Sequence, residues 1–372
     1  MTAPVPTPSM LTTPGALALP RAVEAGQVTT LGGLSSRGVH RILVLRPNHR
    51  LGNTLLVTPL LSELERHFPG AEVDVVTGCE AAGEVFAGFR QVRRIHQLTR
   101  RPGHHPLRLL RLLHELRRSR YDLAIDCVRG SRSGRWLAQW SGARQWLAPP
   151  ADTRELEQAD PAWRDAWARS CGHFALDAVH VLRCALGLPE IAATVPPRLH
   201  IVLRDDERAA GAATLTNLLG TPAQAPRRGR VLAIFPNATG SKRLPGGWWQ
   251  AFIDTLAAHD PALRVVEMVA AHGRSQLDGR FPAFYSSDVR RMAALIAACD
   301  AYISADCGVM HLACASGTPT LGLFTRPNLA RYRPYGPHDG AVAVDEGADA
   351  ALAAGSAIAF LGALPLAPSS AP

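Results

Sequence analysis

Twice along this chain an apolar run of strand length gives way to a polar loop, a helix-spaced segment and a second apolar run. The first series opens with Arg41-Ile42-Leu43-Val44-Leu45-Arg46-Pro47 and passes through the loop Asn48 to Asn53. Leucines 55, 56, 60, 61 and 64 then recur at helical spacing, and Pro59 falls early among them. A helix over Thr54 to Phe68 is expected, with a kink or a later true start at the proline. Ala71 to Thr77 returns to strand character. Strand, helix, strand in this order is the unit from which parallel sheets are built. The second series starts with a strand over Arg230 to Pro236, a helix over Trp248 to His259 and a strand over Leu263 to Ala270. It continues with a helix over Asp288 to Ala298 and a short strand over Ala301 to Ser304.

Between the two series lie Val195-Pro196-Pro197, a helical stretch from Asp205 to Leu219, and a loop from Gly220 to Gly229 with prolines and paired arginines. A chain of 372 residues has room for two domains. The expected class is α/β, with two Rossmann-like lobes whose parallel sheets face each other across a cleft. Ligands of such sheets bind beyond the carboxyl ends of the strands. The divisions expected are a disordered, proline-broken tail over 1–38, a first lobe over 39–200, a second over 201–350, and a helix with a tail over 351–372.

Apolar residues make up 47% of the chain, enough for a sizeable core, and the formal net charge is +9. Between Val39 and Pro150 there are 18 Arg against 9 Asp plus Glu, so the first half carries an excess equal to the whole net charge. That balance suits an anionic partner. No nucleic-acid recognition module is present and aromatics are 6%, so nucleic acid is not expected. The seven cysteines are scattered without a C-x-x-C pair, which fits a reducing compartment and excludes a cysteine framework. No apolar run approaches the ~20 residues of a membrane span, and no secretory signal is expected. Leu107 to Ser119 is a basic amphipathic helix leading into a strand at Tyr121 to Val128. It suits an anionic membrane or an acidic acceptor, or simply packs on the sheet with its arginines in water.

Only one of the 40 Lys plus Arg residues is lysine. It is Lys242, in Asn237-Ala238-Thr239-Gly240-Ser241-Lys242-Arg243-Leu244-Pro245, directly after a strand. An ammonium is a compact point charge that fits beside a phosphate, whereas a guanidinium is a broad fork. Farther on, the strand ending at Ser304 is followed by Asp306, Cys307, Gly308 and His311, and a short helix closing at Gly317. Asp306 or its neighbour is placed to cap that helix. A helix opening at a strand's carboxyl end directs free N–H groups and a positive dipole end at a ligand, for which a diphosphate is the natural guest.

The stretch Ser304 to Phe324, with Asp306, Cys307, Gly308, His311, Ala313, Ala315, Gly317 and Pro319, resembles the nucleotide-sugar motif of glycosyltransferase family 9, the lipopolysaccharide heptosyltransferases. Ser241 to Pro245, Ile42 to Pro47 with Leu51-Gly52, and Tyr332 to Pro337 are similar to three further segments of that family, in the same order. The resemblance spans roughly residues 40 to 338. It implies a GT-B fold and a cytoplasmic, inverting transferase, and it leaves open whether the enzyme contacts the inner face of the inner membrane. The implied donor is a nucleotide-activated sugar, typically ADP-heptose, held by the second lobe. The implied acceptor is a lipopolysaccharide or glycolipid facing the first lobe. No cofactor and no metal are implied, because a lysine and a helix end neutralise the leaving group.

By the same resemblance the donor-binding candidates are Lys242, Asp306, Cys307, Gly308, Val309, His311, Thr239 and Thr325. Acceptor-binding candidates are Arg46, Arg50 and Arg129, and the catalytic candidates are Asn53, His49 and Lys242. Two departures stand out. The family places Gly-Asp at the first turn, and its Asp is the proposed base; here the pair is Gly52-Asn53. An amide does not accept a proton at neutral pH. His49 or Asp126 then serves as base, or positioning alone drives transfer, or the protein binds sugar nucleotides or glycans without transferring. Ala271-His272-Gly273-Arg274 also stands where the family has Gly and Glu, and Glu267 in the preceding strand is a poor substitute, so recognition of the nucleoside is expected to differ.

Overall fold

The apolar runs are continuous because each strand is buried on both faces. The computed structural model describes residues 26–100, 104–188, 195–220, 229–238, 240–270, 273–325, 328–344 and 349–365. Strands β1 (Gly26–Gln27), β2 (Arg41–Arg46), β3 (Glu72–Thr77), β4 (Val92–Gln97), β5 (Leu123–Asp126) and β6 (Gln145–Leu147) form one sheet, in the order β1-β6-β5-β2-β3-β4. Strands β7 (Val231–Phe235), β8 (Arg264–Met268), β9 (Ala283–Phe284), β10 (Ala301–Ala305), β11 (Thr320–Phe324) and β12 (Gly340–Ala343) form the other, in the order β12-β11-β10-β7-β8-β9. Every pairing is parallel.

The first sheet is joined by helices α1 (Leu51–Leu55), α2 (Thr58–His67), α3 (Ala82–Phe86), α4 (Pro106–Arg118) and α5 (Arg132–Trp140). Then come α6 (Thr153–Gln158), α7 (Pro161–Ala168), α8 (Phe174–Ala185) and α9 (Asp205–Leu218). The second sheet carries α10 (Gly246–His259), α11 (Val289–Ala297), α12 (Gly308–Ser316), α13 (Leu329–Tyr332) and α14 (Ala350–Ala363). On β2, Ile42 and Val44 face the α2 and α8 side, and Leu43 and Leu45 face α4 and α5. Two-sided burial of this kind is what parallel sheets require. Among the described residues no helix is long and apolar enough to cross a membrane.

Strand order reverses once in each sheet, between β2 and β5 and between β7 and β10. Crossovers leave on opposite faces at such a point, which opens a crevice beyond the strand ends. The lysine loop follows β7 and Asp306 follows β10, so the topology itself brings the two segments together. The lobes meet directly over this crevice. A methyl group added at Gly52 of α1 would lie 3.0 Å from Gly308 Cα and 2.9 Å from His311 Cδ2 of α12. Away from the crevice, Glu84 of α3 accepts from Val289 N at the start of α11 at 2.6 Å. Arg290 donates to the Glu84 carbonyl at 3.0 Å and grips Glu207 of α9 through two 2.6 Å bonds.

Several expectations need correction. The tail was drawn to residue 38, yet β1 pairs with β6, and Val28 and Leu34 are buried in the core. Gly32 N and Leu34 N donate to the carbonyls of Cys184 and Ala185 at the end of α8. This segment covers an otherwise open sheet edge, a demand that its own composition does not reveal. Residues 1–25 of that expected tail, most of the loop from Gly220 to Gly229 and residues 366–372 lie outside the described residues. The helix over Thr54 to Phe68 has the later true start expected at its proline: α2 opens at Thr58 after the short α1, and Pro59 sits in its first turn, where its missing N–H costs nothing. The division at residue 350 falls at the start of α14, whose Ala353, Ala354, Ala357 and Leu361 bury against the cluster of Trp249, Phe252 and Leu256.

Helices α2 and α8 are tied by a buried pair. Arg183 Nε and Nη2 donate to the two carboxylate oxygens of Glu63, each at 2.8 Å, with both side chains about 5% exposed or less. Burial raises the Glu63 pKa, but the Arg183 hydrogen bonds and charge outweigh it and hold the carboxyl below its ordinary 4.5. A depressed carboxylate contributes stability above its unfolded pKa, and that stability is lost as pH falls through the folded value. Arg183→Ala leaves Glu63 with only His67, 3.3 Å away. Denaturant unfolding is expected to show a loss of about 3–5 kcal/mol at neutral pH. The loss should shrink below about pH 4.5, where protonation of Glu63 removes the buried charge.

Candidate active site

Lys242 closes a single 3₁₀ turn, Gly240–Lys242, and its Nζ lies 2.5 Å from Asp306 Oδ2. Asp306 is 8% exposed, just beyond β10, and its N–H donates to Leu323 O of β11. The next residue, Cys307, is the N-cap of α12 and its side chain makes no capping hydrogen bond. Of the two residues expected to cap, Cys307 holds the N-cap position without a side-chain cap, and Asp306 is paired with Lys242 instead. Cys307, Gly308 and Val309 at the helix start line the crevice. First-turn N–H groups have no partner within the helix, so an open start is a ready anion site. Gly308 keeps the approach clear, since a methyl there would lie 3.2 Å from Gly52 N. At its far end α12 stops at Gly317, which has φ +83, as its position predicts.

His311, one turn into α12, is almost wholly buried beneath Gly52. Burial first, then the neighbouring His173 and the Lys242 ammonium, push its pKa down to about 3. The imidazole is neutral at physiological pH and serves as a packed wall, able to donate or accept one hydrogen bond. The Cys307 thiol is pushed upward by burial and sits 3.7 Å from Ser304 Oγ, so it is not a reactive thiolate.

A crevice of about 750 Å³ gathers these groups. The first lobe contributes Arg50, Gly52 and Asn53, and the second contributes Lys242, Asp306, Cys307, Gly308, Val309 and His311. Sequence reasoning missed Phe235, Asn237, Asn328 and Tyr332, which complete the wall. Asn237 heads the lysine loop and Tyr332 heads the Tyr-Arg-Pro segment, so the signal lay within motifs already singled out.

Other expected residues stand back from this wall. Arg46 is 3% exposed; its Nε donates to Asn53 O at 3.2 Å, and its guanidinium lies 4.4 Å from the Phe174 ring centre. It supports the catalytic turn from beneath, and burial lowers its pKa. Arg129 pairs with Asp177 at 3.2 Å over the Trp167 ring. Arg331, which the sequence reading also missed, faces Phe174 at 5.2 Å, and Phe174 stacks on Tyr332. Arg46, Arg129 and Arg331 thus form a cationic and aromatic floor shared by both lobes. The His49 ring lies on Gly78, and Nδ1 is 2.8 Å from Gly78 O. A carbonyl only accepts, so Nδ1 carries the proton and Nε2 keeps its lone pair. Asp126 is fully buried behind β5, with its pKa raised to about 7 by burial, and it does not reach the crevice. Glu267 is spent internally, accepting from Ser275 Oγ at 2.5 Å and Gln276 N at 2.7 Å. Thr325 lies past β11 off the crevice wall, and Thr239 is outside the described residues.

Comparison with known proteins gives this arrangement a lineage. Solved structures of the same fold include a family 9 glycosyltransferase from Veillonella parvula DSM 2008, with a TM-score of 0.62 and 17% identity over 82% of this chain and 88% of that one. The E. coli heptosyltransferase WaaC, solved with ADP, gives 0.59 and 19% over 87% and 99%. E. coli ADP-heptose lipopolysaccharide heptosyltransferase II gives 0.58 and 16% over 86% and 98%. These likenesses establish two Rossmann-like lobes in a GT-B arrangement. No curated protein sequence matches the chain. The family model for glycosyltransferase family 9 (heptosyltransferase) matches residues 109–358, well over half of it. With its crevice, its lysine loop and its open helix start, this chain is a glycosyltransferase and belongs to glycosyltransferase family 9.

Proposed function

We propose that this enzyme moves a heptose, or a closely similar sugar, from a nucleotide diphosphate to a hydroxyl of a lipopolysaccharide core or related glycolipid, with inversion and without a metal. The observation that carries the reading is Lys242 beside the uncapped start of α12, inside one crevice. Departure of the diphosphate leaves negative charge on the β-phosphate oxygen. Lys242 and the first N–H groups of α12 stand ready for it, and preorganised positive groups of this kind supply the larger part of such catalysis. Asp306 holds Lys242 in place and accepts hydrogen bonds from the donor sugar. The donor's nucleoside reaches toward Phe235, Asn237 and Ala270. ADP in the E. coli relative supports an adenine nucleotide, while the internal engagement of Glu267 supports a different grip on the ribose.

The acceptor enters over Arg50, whose guanidinium suits its phosphates or carboxylates, while Arg46 and Arg129 add positive charge from behind the wall. Its oxygen attacks the anomeric carbon as the bond to the diphosphate breaks, and its proton goes to a base. Asn53 orients the hydroxyl, and His49, one residue behind the crevice wall with Nδ1 on the Gly78 carbonyl, is the group assigned as base. The Gly78 carbonyl supports this role by fixing the tautomer. A nucleotide donor and seven free cysteines support a cytoplasmic site of action.

Lys242→Ala is expected to lower kcat by about 10²–10³-fold and to weaken donor binding; full activity would remove the role given to this lysine. His49→Ala should cost about 10²–10⁴-fold in kcat with donor affinity unchanged, as measured by calorimetry. Asn53→Asp should leave the rate level or reduced, and a gain of two orders of magnitude would show that His49 is not the base. Gly52→Ala places its methyl 3.0 Å from Gly308 Cα and so props the lobes apart. Steady-state kinetics should show a loss in kcat/KM of at least tenfold while the melting temperature stays within a few degrees.

A further inference from the structure

We propose that the outer face of α4 and α5 docks the enzyme on an anionic membrane surface. The inference deepens the glycolipid reading of the acceptor, but its evidence lies on a different face of the molecule. Helix α4 buries Leu112, Leu113 and Leu116 against the sheet, and that stripe is enough to seat it. Leu107 and Leu110 point away, 78% and 60% exposed. Beside them on α5, Trp136 and Trp140 stack with ring centres 5.7 Å apart, and each is 45% exposed. A groove of about 520 Å³ runs between the helices, lined by Leu110, Leu113, His114, Arg117 and Trp140. Leucines and tryptophans on view in a continuous ridge mark an interaction surface, not ordinary scatter.

Charge selects the partner. The two helices carry Arg108, Arg111, Arg117, Arg118, Arg132 and Arg135 against one acid, Glu115. Arg135 is engaged by Glu155, and Arg117 donates to Trp140 O at 3.1 Å, which leaves its charge at the groove. Glu115 lies 3.6 Å from His96, so its charge is shared with that ring when protonated. Arginines flanking exposed leucine and tryptophan match an anionic interface, where aromatic rings sit at headgroup level and cations meet lipid phosphates. A second copy of this chain is disfavoured, because a two-fold contact would set one arginine row against the other. The placement suits the chemistry as well. Helix α5 follows β5 through the loop holding Arg129, so the ridge begins at the acceptor side of the crevice and descends from it.

The test is co-sedimentation of the whole chain with vesicles, in the absence of donor and acceptor. Vesicles containing phosphatidylglycerol should bring the protein down at low salt, and pure phosphatidylcholine vesicles should not. Leu107→Glu with Leu110→Glu, and separately Arg108→Glu with Arg111→Glu, should each weaken binding by about tenfold or more. Both pairs are exposed, so melting curves should be unchanged, as should transfer to a delipidated, soluble acceptor fragment. Failure of wild-type protein to bind anionic vesicles, or equal binding by the variants, would overturn the proposal. So would a dimer in analytical ultracentrifugation that the leucine variant dissolves. Loss of transfer with vesicle binding intact would count against the acceptor reading alone.

Discussion

An ammonium and a carboxylate 2.5 Å apart, offered by loops beyond two neighbouring strands, set the geometry on which the crevice rests. Asp306 is nearly buried, so its carboxylate needs a partner, and Lys242 supplies one from the crevice mouth. Together they hold the lysine loop over β10 and keep Asp306 from folding back as a cap. The pairing therefore does two things at once. It parks the cation beside the mouth of α12, and it leaves the helix start open. Replacing Lys242 with arginine would keep the charge and lose both, since a planar fork needs more room and two acceptors.

The crevice is also defined by how closely the lobes approach. Gly52 and Gly308 touch backbone to backbone, with the His311 ring filling the space beside them. A neutral imidazole can fill that role because burial keeps it uncharged. On the far side, Arg290 holds α3, α9 and Val202 O together, which fixes one edge of the two-lobed body. The crevice is thus bounded by a glycine seam and an arginine anchor.

Much of this was legible in the residues. The repeated strand and helix pattern announced two parallel sheets, because two-sided burial forces unbroken apolar runs on β2, β3, β7 and β10. Their positions after strands put Lys242 and Asp306 at one site as donor-binding candidates, but not as a pair. What the chain hid was long-range. Nothing local marks Gly26–Gln27 as a strand, since only the exposed edge of β6 makes it one. Arg46 and Arg129 read as surface cations, yet packing on Phe174 and Trp167 draws them inward. Helix α8 is buried on every side, and its Asp177, His180 and Arg183 are engaged by Arg129, the Ala166 carbonyl and Glu63 instead of facing water. Of Asp306 and its neighbour, the chain gave no sign that Cys307 would take the N-cap position while Asp306 met a cation from 64 residues away.

One property of the crevice reaches beyond catalysis. Where guanidinium has displaced every other ammonium, reagents that acylate amines meet a single side-chain target in this chain. That target is 29% exposed and stands at the crevice mouth. Its modification would silence a single cationic centre and leave the arginine surface untouched, so the extent of labelling becomes a direct footprint of occupancy in a protein that otherwise offers no chromophore at that position.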